Sequence, residues 1–101
     1  PPDFNGSLTN IRIGLETIVR KIAIEKAFVS NRPGNTWGPS LGHLKNINFF
    51  SGKEEKTLAS VFTFVSDGAH IPIGFTEEEF VRLGRHICAS MCYFVIKKYN
   101  A

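Results

Sequence analysis

The residue types that do chemistry gather in one stretch of this chain. Ser66-Asp67-Gly68-Ala69-His70 is followed six residues later by Thr76-Glu77-Glu78-Glu79-Phe80. His70 three positions after Asp67 has the make-up of a general base or metal ligand working near neutral pH, with the carboxylate orienting the imidazole. The same residues have a plainer use, and it is the preferred one. Asp67 and Gly68 end a helix, and His70 braces the connection through backbone hydrogen bonds. A second group, Arg82, Arg85 and His86, falls within about one helical turn. It suits phosphate binding or RNA cleavage, with His moving the 2′-hydroxyl proton and Arg stabilising phosphate charge. Its plainer reading is a solvated face opposite Leu83 and Ile87.

Two further groups carry less chemistry. His43, His70, His86, Cys88 and Cys92 include zinc-ligand types, but the chain has no CxxC pair and no HxxxH. Cys88 and Cys92 stand beside Met91 and Phe94 and read as small apolar core residues. Neither a metal nor a cofactor is expected. Trp37 lies in a Gly/Pro-rich loop, Trp37-Gly38-Pro39-Ser40-Leu41-Gly42-His43-Leu44, where it either covers the core or anchors a partner. There is no GxxxxGK phosphate loop and no GxSxG nucleophile elbow.

The elements that must position these residues follow from periodicity. Leu8, Ile11, Leu15, Ile18 and Ile22 recur at steps of three and four, and the spacing predicts a helix over residues 8–29 with Ser7 as its cap. Arg12, Glu16, Arg20 and Lys21 cover its other faces, and Glu16–Arg20 has the favourable i,i+4 order. Asn31-Arg32-Pro33-Gly34-Asn35 breaks the pattern. A short helix from Pro39 or Ser40 carries Leu41, Leu44 and Ile47. Ser51-Gly52-Lys53-Glu54 is a capping box, preceded by Phe50 as a hydrophobic staple. The helix it opens bears Leu58, Val61, Phe62 and Val65 and stops near Asp67-Gly68. Thr76–Glu79 is a second box, preceded by Phe75. The last helix bears Phe80, Leu83, Ile87, Met91, Phe94 and Val95 and ends in Lys97-Lys98, favourable at a negative terminus. The β-branched runs Val61–Val65 and Cys92–Ile96 admit strands, but caps and steps of three and four favour helices. The expected fold is all-α: an antiparallel helical bundle of about four helices, two long, one medium and one short.

Composition fits that frame. At 101 residues the chain is one domain, able to bury roughly 65% of the surface its unfolded form exposes. Hydrophobic content of 43% and charged content of 21% are ordinary for a globular protein. A formal charge of +3 with scattered Lys and Arg is weak support for nucleic-acid binding. No apolar run approaches the roughly 20 residues of a membrane span, so no membrane partner is expected. Two cysteines at i,i+4 suit a thiol pair, and a reduced cytoplasmic location is the default. Residues 1–6 read as a flexible tail and 7–101 as a single helical domain, taken as the C-terminal part of a larger protein because Pro1-Pro2 lacks a starting Met.

The layout over about residues 35–99 resembles a known family. A Trp-Gly-Pro-Ser-Leu-Gly-His-Leu segment precedes a capped Glu-Glu-Lys-Thr-Leu-Ala-Ser-Val-Phe helix. Ser-Asp-Gly-Ala-His and Thr-Glu-Glu-Glu-Phe then open a final apolar helix. This is similar to small HEPN-like helical domains of prokaryotic proteins, often of the defence or abortive-infection kind. The resemblance implies an antiparallel bundle that often dimerises through its long helices. Its ribonuclease members carry an Arg and a His with four to six residues between them. Here Arg82 and His86 leave three residues between them, and no Arg precedes His70 by four to seven positions. The expected function is therefore a non-enzymatic helical dimerisation or protein-interaction module, with a homodimer or a partner protein. The apolar residues off the main stripes, Ile13, Ile24, Phe64 and Ile96, together with Trp37, are its expected contacts. The alternative is an RNA-binding or RNA-cleaving domain using His70 with Arg82 and Arg85. Enzyme activity is not favoured, and neither is RNA as the partner.

Overall fold

The computed structural model describes residues 4–29, 37–66 and 70–101. Among them are four helices and no strand: α1 Phe4–Glu25, α2 Trp37–Asn46, α3 Gly52–Ser66 and α4 Glu77–Tyr99. The all-α expectation holds, with the two long helices first and last. Both β-branched runs are helical. None of these helices is long and apolar enough to cross a membrane.

Local sequence sets most helix ends. Ser51 and Glu54 close a capping box: Glu54 N–H donates to Ser51 Oγ at 3.1 Å, and Ser51 N–H donates to Glu54 Oε1 at 2.8 Å. Thr76 and Glu79 repeat it at the start of α4, at 3.1 and 2.8 Å. Each box satisfies two donors that a helix start leaves without partners. Two helix stops share a different device. Ala27 takes φ 67° after α1 and Asn48 takes φ 64° after α2. Phe28 N–H then reaches back to Ala23 O at 2.9 Å, and Phe49 N–H to Leu44 O at 2.9 Å. This is the six-to-one closure of a Schellman stop, each time followed by a phenylalanine that packs against the core.

Several expected helix ends are corrected. α1 ends at Glu25, short of residue 29, because Ala27 turns left-handed. Ile47 falls past the end of α2 and is exposed. At the other end, α1 starts at Phe4, so residues 4–6 are helical and Ser7 lies within the helix instead of capping it. Leu8 is buried against α4, and packing sets that start. Phe75 is 43% exposed and gives little staple to α4.

The helices pack around two cores. The larger holds Leu15, Val19, Ile22, Trp37, Leu41, Leu44, Phe50, Leu58 and Val95, and the smaller holds Leu8, Val65, Phe80, Val81 and Cys88. Neighbouring α3 and α4 are antiparallel: Lys98 Nζ bridges both Glu54 oxygens at 2.9 and 3.0 Å, while Phe64 and Phe80 meet near their other ends. α1 and α4 instead run side by side in one direction. Leu8 lies against Gly84 at one level, and Glu25 accepts from the Tyr99 hydroxyl near the far end. That crossing is tight. A Cβ on Gly84 would sit 2.8 Å from a Leu8 methyl carbon, so glycine there lets the two helices touch.

Candidate functional site

Arg82, Arg85 and His86 do converge. Together with Ile11 of α1 and Ala89 they line an open groove of about 370 Å³ along the α1–α4 seam. Helical spacing explains it: positions 82, 85/86 and 89 repeat at three and four on the outer side of α4, opposite buried Gly84 and Cys88. Arg82 is tethered within its own helix by Glu78 at 3.2 Å, with both side chains largely exposed. The groove thus offers cationic groups over a small apolar floor, which suits an anionic group carrying some apolar surface.

His70 is not part of that groove. It is exposed in the connection between α3 and α4. Asp67, its expected partner, lies outside the described residues, as does the helix stop at Gly68. His70 is not among the residues that line the Arg82–Arg85–His86 groove.

Trp37 is not available to a partner. It is 6% exposed and stacks on Phe62 at 4.4 Å between ring centroids. The reason is that Trp37 opens α2, so its ring turns inward with Leu41 and Leu44. By contrast, Ile13 and Ile24 are 49% and 66% exposed, and Phe64 and Ile96 are each 44% exposed. Phe64 leans edge-on against Phe80 at 5.4 Å and is partly spent on that contact.

The cysteines sit among apolar neighbours. Burial pushes the Cys88 and Cys92 thiols up, away from the reactive thiolate. Among the described residues no cluster of three His, Cys, Asp or Glu side chains could hold a metal ion. Hydrogen bonding from the Ser51 backbone, and then from Lys98, lowers the Glu54 carboxyl below its usual range.

One residue escaped the helical pattern. Arg12, expected on an outer face, is half-buried, and its guanidinium carbon lies 5.6 Å from the Phe62 ring centroid. Trp37 and Arg12 thus both pack on Phe62. The Nε of Arg12 is buried without a hydrogen bond. Its position one residue beyond the Ile11 stripe was the available signal, since long cations lay their stems along apolar surface. No protein-family model, curated protein or solved structure matches the chain.

Proposed function

We propose that this domain is a non-enzymatic helical interaction module of the HEPN-like kind, which pairs with a second copy or a partner protein. One observation carries the reading. Ile13 and Ile24 are both well exposed and eleven residues apart on α1, which is three helical turns, so they lie on one outward line. Thr17 and Arg20 stand between them on the same side. Two exposed isoleucines in register cost solubility unless something covers them, and a self-complementary contact is the simplest cover. In light scattering the wild-type chain should gain mass with concentration, with monomers pairing first through this face. Ile13→Glu/Ile24→Glu should weaken that association roughly a hundredfold or more, since each buried isoleucine is worth about 1.5–3 kcal/mol. A wild-type protein that binds no partner and stays monomeric at millimolar concentration overturns the reading.

The groove supports a second reading, RNA on Arg82 and Arg85. Two phosphate contacts to a single strand give a slope of about −1.4 in a plot of log affinity against log salt. Arg85→Ala should halve that slope. Filter binding of labelled RNA that shows no salt dependence removes this reading.

A further inference from the structure

We infer that the domain carries a knob and a socket that join copies of this chain head to tail. This contact is separate from the α1 face. The knob is the turn between α3 and α4. Phe75 N–H bonds Pro72 O at 3.1 Å across Ile73 and Gly74, and Gly74 takes φ +93°. A glycine with positive φ at the third position of such a turn is the type II arrangement, which holds the second residue outward. That residue is Ile73, and it is 103% exposed. A fully exposed isoleucine on a hydrogen-bonded turn is an apolar group aimed away from its own core.

The socket lies between α3 and α4 toward their other ends. It is an open cavity of about 210 Å³ floored by Leu58, Met91 and Phe94, with Lys53, Glu54 and Thr57 on its lining. A cavity of roughly 150 Å³ holds a benzene-sized molecule, so this one admits a four-carbon side chain. Met91 gives the floor an adaptable surface. Phe94 stands seventeen residues beyond Glu77, so knob and socket are about 25 Å apart along α4.

Charge selects a second copy as the occupant. Glu77, Glu78 and Glu79 follow the knob directly, with Arg82 pairing one of them. Beside the socket stand Lys53 and the Lys97-Lys98 end of α4, with Glu54 pairing Lys98. An acidic collar around the knob faces a basic rim around the socket. Because the two surfaces differ and occupy different ends of one molecule, the contact is heterologous and leaves a free knob and a free socket on every pair.

The test uses the full chain with the α1 face silenced by Ile13→Glu/Ile24→Glu, followed by sedimentation velocity. In that background the protein should grow beyond a dimer with concentration, and less so in 0.5 M salt. Adding Ile73→Asp, which removes the knob, should weaken association roughly ten- to a hundredfold. Adding Thr57→Trp, which fills the socket from an exposed helical position, should do the same. Mixing the two should restore a one-to-one pair that grows no further, since one variant keeps only a socket and the other only a knob. Circular dichroism confirms that each variant is folded. A silenced background that is monomeric, or one whose association ignores Ile73→Asp, overturns the head-to-tail contact. In either case wild-type dimerisation through α1 is left standing.

Discussion

Phe50→Ala should lower the folding free energy by about 3–5 kcal/mol, a large share of the roughly 5–15 kcal/mol that holds a domain of this size. Phe50 is 1% exposed and occupies the junction of three helices. It follows the stop of α2, where its N–H shares the Leu44 carbonyl with Phe49. It precedes the Ser51 cap of α3, and its ring lies 6.3 Å from that of Phe94 on α4. Truncation to alanine empties a ring-sized volume that three fixed elements surround, so little collapse can refill it. At about 4–8 °C per kcal/mol, the melting midpoint should fall by about 12 °C or more. Phe50→Leu keeps most of the volume and should cost less than about 1.5 kcal/mol. Urea or thermal melts followed by circular dichroism measure both. An alanine variant within 1 kcal/mol of wild type would mean that the junction is not a packing centre.

How much of this was legible in the sequence depends on how local the cause was. Ser51–Glu54 and Thr76–Glu79 work within four residues, and both boxes form as read. Asn48 also announces itself, since asparagine tolerates the left-handed stop. Ala27 does not: alanine has no preference for φ 67°, and the Phe28 N–H bond to Ala23 O together with the packing of Phe28 against the core holds it there. The helix end at Glu25 was therefore hidden. The direction of α1 relative to α4 was hidden for a similar reason. Leu8 touching Gly84 is a contact across seventy-six positions, and no periodicity within one helix encodes it.

The candidate site divides along the same line. Arg82, Arg85 and His86 share a helix, so their spacing alone brings them to one side. Whether they lie over apolar floor depends on Ile11 from another helix. The exposure of Ile13, Ile24 and Ile96 followed from their distance off the apolar stripes. That rule failed for Arg12, whose long stem bends inward to Phe62. It also missed Ile73, because a turn obeys no helical period and its outward aim depends on Gly74.

Trp37→Ala should be the second large loss, again about 3–5 kcal/mol, and it separates two uses of the same residue. A tryptophan that anchors a partner is exposed in the free chain, and its removal weakens binding while leaving the fold intact. Trp37 has the opposite placement. Its ring stacks on Phe62 at 24° between planes, while the Arg12 guanidinium also packs on that phenylalanine. Stacked aromatic pairs add about 0.5–1.5 kcal/mol beyond their buried area. Trp37→Phe keeps the stack and should lose roughly half as much as the alanine variant. The chain holds one tryptophan, so its fluorescence reports the site directly. Emission should be blue-shifted and poorly quenched by acrylamide in the folded protein, and should shift red in the same transition that melts the helices. Association through Ile13 and Ile24 should survive Trp37→Phe unchanged. Red, readily quenched emission in the native state, with an alanine variant as stable as wild type, would return Trp37 to the surface and to the list of partner contacts.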